Sequence, residues 1–295
     1  MNALLLAAGL GERMKPITDT TPKPLLRIVD QRLIDINIKH LLACGVERIG
    51  INLFHKHELI HEHLKVHHSQ VYPFKEDELR GTGGALYSFQ DFLKDDFIIH
   101  SGDVVSDIKL KEIVKFHKEH KPVATLVLTK YRGIKFQISK DNRIEKMYRG
   151  DTSEHTYSGI GVFSERVFSF LPEKEIFSIV DVFQNILDSK EVLIGLPSVM
   201  NWYNINSHFT YWKIHRDLLL KDIEFEGLKF ESPIYTAPSS KVETADLKGF
   251  VSVDEDCVIL SGVRLENAVV LPNSHIKEGS FRNCVLSDRF CITVA

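Results

Sequence analysis

With 295 residues, 43% hydrophobic and 26% charged, the chain is long enough for a sizeable core in one large domain plus an appendage. A net charge of −3 supplies no basic field, which argues against nucleic acid as a partner and requires any anionic ligand to be met by a local cluster of cations. The four cysteines, Cys44, Cys257, Cys284 and Cys291, form no C-x-x-C pair, which argues against a metal knuckle and for free thiols in a reducing compartment.

The chain opens on an apolar run, Ala3 to Ala8, that reads as a buried strand. The start has no basic region before the apolar run, and the run stops at glycines, so it does not read as a signal peptide. No stretch approaches the ~20 apolar residues of a membrane span, so the expectation is a cytoplasmic protein without membrane contact. The strand empties into Gly9-Leu10-Gly11, followed by Arg13 and by Lys23 between Pro22 and Pro24. Glycines let backbone N–H groups approach an anion and the cations neutralise it, so this is a phosphate site in outline.

Leu33 to Cys44 has apolar residues at helical spacing and stops at Gly45; Val46 to Leu53 reads as the next strand. A polar helix (Glu58 to His68) and a short strand (Val71 to Phe74) follow. The cluster Gly81-Thr82-Gly83-Gly84 opens a helix over Ala85 to Leu93, and Phe97 to His100 is an apolar strand ending in Ser101-Gly102-Asp103. This alternation predicts an α/β, Rossmann-like, open and mostly parallel sheet, with ligands at the carboxyl ends of the strands. A helix (Leu110 to His120) and a strand (Val123 to Thr129) continue it. Residues 131–150 read as a β-rich insertion, with a turn at Lys140-Asp141-Asn142. Tyr157 to Phe163 is a strand carrying two glycines, and helices are expected from Ser164, over Val180 to Leu187 and up to about Leu220. His55, His57, His61, His63, His67 and His68 lack an H-E-x-x-H arrangement and read as a solvated helix face.

The pattern changes near residue 230, dividing the chain into 1–230 and 231–295. Apolar residues then recur in steps of six (Leu247, Val253, Ile259, Leu265, Leu271), with Gly, Asp and Asn between. Hexapeptide-like repeats predict a short C-terminal left-handed parallel β-helix with an open end that needs capping; a small irregular antiparallel sheet is the alternative. The coil is also a candidate contact between copies of the chain.

The opening loop is neither G-x-G-x-x-G, since Met14 stands at the third position, nor a Walker A loop, since G-K-[S/T] is absent. What remains, A-A-G-x-G-x-R-M-x-P followed by P-K-P, resembles the signature of the sugar-1-phosphate nucleotidyltransferases, departing only at Glu12 and Ile17. The resemblance implies an Mg²⁺-dependent enzyme, with Mn²⁺ as the other candidate ion, whose substrates are a nucleoside triphosphate and a sugar 1-phosphate. It implies that Leu6, Ala7, Ala8, Gly9 and Gly11 line the nucleotide, that Arg13 grips the triphosphate and that Lys23 bridges the phosphates of both substrates.

Gly81, Thr82 and Gly84 match the family's G-T-[A/G]-G element, in the version of enzymes that use GTP with mannose- or heptose-type phosphates. An acidic residue just upstream would read guanine, with Glu76 the first match and Glu78 the second. Gly102-Asp103 matches the G-D whose Asp holds Mg²⁺. Tyr157-Ser158-Gly159 resembles the N-A-G strand of the sugar pocket, with Tyr157 in place of Asn. The E-K-P element has two candidate substitutes, Glu145-Lys146 and Tyr148-Arg149-Gly150. W-x-D-I-G-T becomes Trp202-Tyr203-Asn204-Ile205-Asn206-Ser207, so the second metal carboxylate is an amide, Asn204. That change leaves two readings: an active enzyme with an altered metal site, or a catalytically impaired regulatory homologue that binds a nucleotide sugar. A CTP-, UTP- or dTTP-using enzyme is the further alternative.

Overall fold

A computed structural model describes residues 1–174, 176–244 and 246–294. The chain forms two compact units that do not follow chain order. The first contains Met1–Leu10, Ile36–Val104 and Ile108–Trp202; the second contains Gly11–Asp35, Val105–Asp107 and Tyr203–Ala295.

The first unit is built on a nine-stranded sheet. At its centre lies strand Asn2–Leu6, parallel to Arg48–Leu53 on one side and to Phe97–Ser101 on the other. Val71–Lys75 pairs parallel beyond Arg48–Leu53. Ala3, Leu4 and Leu5 are fully buried, as a strand covered on both faces requires. The remainder of the sheet departs from the mostly parallel expectation. Strand His155–Phe163 runs antiparallel to Phe97–Ser101 and to Ala124–Lys130, and Ile134–Ile138 forms a hairpin with Ile144–Arg149. Parallel neighbours need a crossover of a dozen or more residues, usually a helix, and the chain from 131 to 154 contains none, so its strands reverse direction instead. An unanticipated strand, Leu193–Pro197, follows helix Ile179–Asp188 and is parallel to Ala124–Lys130.

Helix Gly81–Ser88 starts at the glycine cluster itself, earlier than expected. With helix Ile179–Asp188 it buries Ala85, Leu86, Val182, Phe183 and Ile186 against Leu4, Phe97 and Phe163. The second of these helices is started by Ser178 and Asp181 in a reciprocal cap. The helix anticipated from Ser164 is a short 3-10 turn, Glu165–Phe170.

In the second unit, strands Leu247–Val253, Val258–Val270 and His275–Leu286 stack in parallel. The chain returns on itself every 16 to 18 residues, as in the pairs Gly262–Glu278, Val258–His275 and Leu247–Leu265. One return therefore holds three of the six-residue steps, and Val253, Ile259, Leu265 and Leu271 all point inward. The parallel order excludes the antiparallel alternative for these strands. The last strand, Cys291–Thr293, pairs antiparallel with His275–Leu286 and closes its outer edge. All four cysteines are free, and no described helix is long and apolar enough to cross a membrane.

Burial leaves His100 at the end of its strand fully shielded, and its imidazole is pushed down to about 3, first by desolvation and then by the neighbouring His40. The folded state therefore keeps His100 neutral, whereas the unfolded chain protonates it below about pH 6.5. Its contribution is complete above pH 6.5 and is lost as pH falls toward 3. The stability difference between the native chain and His100→Gln, measured by urea unfolding, should shrink by about 2 kcal/mol between pH 7.5 and pH 5.

Candidate active site

The residues singled out in the sequence fall into two groups, one in each unit. In the first unit they gather at the carboxyl end of strand Asn2–Leu6. Leu6 is in register with Asn52 on one side and Ser101 on the other. The strand ends there, so Ala7 and Ala8 lie in the following loop, both nearly buried, and Gly9 is exposed with open space around its Cα. The Ala7 N–H donates to Asn52 Oδ1 at 2.8 Å, and Asn52 Nδ2 donates to Glu76 Oε1 at 2.9 Å.

Both Asn52 and Glu76 are only 3% exposed. The other Glu76 oxygen, Oε2, is buried with no hydrogen-bond partner. Burial pushes the Glu76 carboxyl up, offset in part by the Asn52 amide and by Arg80. The geometry fixes the amide's orientation. The Ala7 N–H can only donate, so the Asn52 oxygen faces it, and the Asn52 NH₂ must face Glu76.

Gly102 closes onto the same strand end. Its N–H donates to the Leu6 carbonyl at 2.8 Å, and its own carbonyl accepts from buried Asn37 Nδ2 at 3.1 Å. A Cβ at Gly102 would stand 2.7 Å from Leu6 O, so the Gly102-Asp103 turn approaches as only glycine allows. Asp103, partly buried, is therefore carried at the lip of the central strands. Gly102→Ala should push these strand ends apart and cost about 1–3 kcal/mol, read as a fall of several degrees in Tm.

The glycine cluster has a packing reason of its own. A Cβ at Gly81 would meet the Phe177 carbonyl at 2.5 Å, and one at Gly83 the Phe177 ring at 2.5 Å. The Gly83 N–H donates to Phe177 O, and the Ile179 N–H donates to Thr82 Oγ1 at 3.1 Å, so Thr82 supports the start of helix Ile179–Asp188. Gly84 is buried in the helix.

On strand His155–Phe163, the Tyr157 ring packs edge-on against Phe183, with centroids 5.2 Å apart, and its hydroxyl is buried without a partner. Ser158 is buried, and its carbonyl accepts from the Trp202 indole at 3.0 Å. Gly159 has φ +90° and sits where a Cβ would press on Ser101 Oγ at 2.6 Å.

In the second unit, Gly11 has φ +70° and begins a 3-10 turn, Glu12–Met14, that leaves Arg13 exposed and buries Met14. Thr18 Oγ1 donates to the Gly11 carbonyl at 2.9 Å and closes the loop. Lys23 opens a second tight turn, Lys23–Leu25, with Pro24 buried beside it. Asn204 ends strand Trp202–Asn204. Its carbonyl accepts from the Asn206 N–H at 2.9 Å, while its side-chain Oδ1 is buried without a hydrogen-bond partner. A buried, unpaired amide oxygen is a donor atom suited to a hard cation, so the amide at this position fits a metal as a neutral ligand.

Asn52 and Asn37 were not anticipated. Their signal in the sequence is a lone amide within an otherwise apolar strand and on an otherwise apolar helix face.

The nucleotidyl transferase family profile matches residues 2–221. Among curated relatives, the chain is 23% identical over 345 residues to a UTP–glucose-1-phosphate uridylyltransferase of Synechocystis, covering 99% of this chain and 88% of the relative. It is 26% identical over 310 residues to mannose-1-phosphate guanylyltransferase 1 of Arabidopsis thaliana, covering 94% and 83%. Among solved structures, HddC from Yersinia pseudotuberculosis complexed with GMP-PN superposes with a TM-score of 0.61 at 21% identity, over 73% of this chain and 98% of that one. The match spans most of the chain and includes the glycine loop, Lys23 and the Gly102-Asp103 turn: the chain belongs to the nucleotidyl transferase family, an enzyme family, in agreement with the resemblance of its signature to the sugar-1-phosphate nucleotidyltransferases.

Proposed function

We propose that the chain couples GTP to a mannose- or heptose-like sugar 1-phosphate, giving a GDP-sugar and pyrophosphate. The observation that carries the choice of base is the buried, unpartnered Glu76 Oε2, held in place by Asn52. An ionised carboxylate only accepts, and guanine presents two adjacent donors, N1–H and N2–H. Uracil and thymine present one donor flanked by carbonyl oxygens, which a carboxylate repels. Adenine and cytosine each pair a donor with an acceptor. The relatives include both uridylyl and guanylyl enzymes, so the base rests on this carboxylate. Calorimetric titration with GTP, UTP, dTTP, CTP and ATP in Mg²⁺ tests it. GTP should bind at least about tenfold more tightly than the others, as one well-paired buried group allows; equal affinities, or UTP first, would overturn it.

In this reading a sugar-phosphate oxygen attacks the α-phosphorus, the bond to the bridging oxygen breaks and pyrophosphate leaves. The protein forms no covalent bond and must bring two polyanions together. Leu6, Ala7, Ala8, Gly9 and Gly11 line the nucleotide, with Gly81, Thr82 and Gly84 beside it. Arg13 neutralises the triphosphate and Lys23 the phosphates of both substrates. Gly102, Tyr157, Ser158 and Gly159 border the sugar. Asp103 and Asn204 would hold Mg²⁺, or Mn²⁺ in its place, and the ion supplies charge neutralisation at the phosphates. Residues 1–230 form the nucleotidyltransferase domain. Residues 231–295 form the short left-handed coil, which is also the candidate contact between copies, and the enzyme works in the cytoplasm.

The second reading, a regulatory homologue, is motivated by Asn204. The buried and unpaired Oδ1 favours a working ligand instead. Asn204→Asp adds one negative charge to that ligand set and should raise kcat only modestly, by about three- to tenfold, from a native rate that is already measurable. A native chain without turnover, in which a nucleotide sugar still raises Tm, would establish the regulatory reading.

A further inference from the structure

The loop that carries Arg13 and Lys23 belongs to the same compact unit as the C-terminal strand stack, and Arg27, with Arg32 at 3.7 Å from Glu255, ties them together. Arg27 follows the P-K-P turn by three residues, and its side chain is largely buried. Its Nε lies 3.1 Å from Asp254 Oδ1, and its Nη1 donates to Glu255 Oε1 at 2.7 Å. Nη2 donates to the Asp30 carbonyl at 2.6 Å. The Arg27 carbonyl accepts from the Tyr211 hydroxyl at 2.9 Å and from His215 Nε2 at 3.2 Å. Asp254 and Glu255 form the turn between the stacked strands Leu247–Val253 and Val258–Val270, and the Asp254 N–H bonds to Val270 O at 3.0 Å. Arg27 is thus gripped at both its side chain and its backbone by the stack and by helix His208–Leu219.

Lys23 is within reach of that grip. The Leu26 N–H donates to the Lys23 carbonyl at 3.1 Å, and the Leu33 N–H to the Leu26 carbonyl at 2.9 Å, so the turn and the ribbon that follows it are one short rigid piece. An arginine ion-paired with two carboxylates of one turn, and hydrogen-bonded to one of them, is a fixed point for the chain segment that carries it. A cation aimed at a transferring phosphate has to be held to within fractions of an ångström.

We propose that Arg27 is a positioning residue that sets Lys23 for phosphate through its ion pairs with the Asp254-Glu255 turn, which makes the C-terminal stack a working part of the transferase. The inference rests on the assignment of Lys23 to the substrate phosphates. It assigns the stack a role in the chemistry in addition to packing or contact between copies.

A double-mutant cycle tests it, read as kcat/KM for GTP with mannose 1-phosphate and Mg²⁺. Arg27→Gln, and separately Asp254→Asn with Glu255→Gln, should each lower kcat/KM by about tenfold or more in the native background. In a Lys23→Ala background the same changes should cost less than about twofold, since the group they position is gone. A partial rescue is expected from Arg27→Glu combined with Glu255→Arg. If Arg27→Gln fails to fold, the carboxylate pair of variants carries the cycle. If Lys23→Ala turnover falls below detection, the cycle is read on GTP affinity by calorimetry. Equal losses in both backgrounds, or native kcat/KM in Arg27→Gln, would overturn the inference while leaving the functional reading intact. A Lys23→Ala enzyme as active as the native one would overturn both.

Discussion

Asp103→Asn is expected to lower kcat by at least about 10²-fold while leaving the fold intact, because it removes the one charged ligand assigned to the metal. The effect follows from the company Asp103 keeps. The Gly102-Asp103 turn is drawn against Leu6 by an N–H to carbonyl bond of 2.8 Å and is held from behind by Asn37 at 3.1 Å. The turn that carries the carboxylate is therefore placed by backbone geometry, and the amide substitution preserves that placement. With Asn204 already neutral, Asp103→Asn leaves no carboxylate among the assigned metal ligands. Pyrophosphate release at saturating substrates, with Mg²⁺ and with Mn²⁺, measures the loss. A decrease smaller than about threefold with both ions would mean that Asp103 does not carry the metal.

Glu76→Gln is expected to change which base the enzyme prefers. In the native chain, kcat/KM should favour GTP over UTP. Replacing the carboxylate by an amide removes one acceptor and sets an NH₂ donor against a guanine donor, a loss of about 10²-fold or more for GTP. UTP, which gains nothing from the carboxylate, should change by less than about threefold. Asn52→Leu should act in the same direction, since it frees both the Ala7 N–H and the Glu76 Oε1 that it holds at 2.8 and 2.9 Å. A variant that also loses foldedness would lower all nucleotides alike, so the ratio of the two kcat/KM values is the informative quantity. Equal losses for GTP and UTP would remove Glu76 from base selection.

The opening loop was legible in the sequence because its chemistry is local. Two glycines, Arg13 and the P-K-P turn lie within a single stretch at the end of an apolar strand. The parallel centre of the sheet was legible for the same reason, since each apolar strand there is followed by a helical pattern. What could not be read were the relations between residues far apart in the chain. Strand His155–Phe163 has the composition of either direction, and its antiparallel course is set by short connections over residues 131–154.

Gly81 and Gly84 match the family's nucleotide-site element, yet the reason a side chain is forbidden at Gly81, and at Gly83 beside it, is Phe177, more than 90 residues away. Asn52 shows only as an amide in an apolar strand. Its link from Ala7 to Glu76 exists because three parallel strands end side by side. Arg27 pairs with residues 227 and 228 positions later, a partnership that no local pattern announces. The six-residue steps did reveal the stacked strands, because an inward-facing residue at every sixth position is itself a repeating local signal.

The most direct test of the account is stoichiometry. Purified protein incubated with GTP, mannose 1-phosphate and Mg²⁺ should release one pyrophosphate for each GDP-sugar formed, and omission of the sugar phosphate should stop GTP consumption. Intact GTP after incubation with a panel of sugar 1-phosphates and each nucleoside triphosphate in turn, with either metal, would contradict it, as would cleavage of GTP to GDP and phosphate.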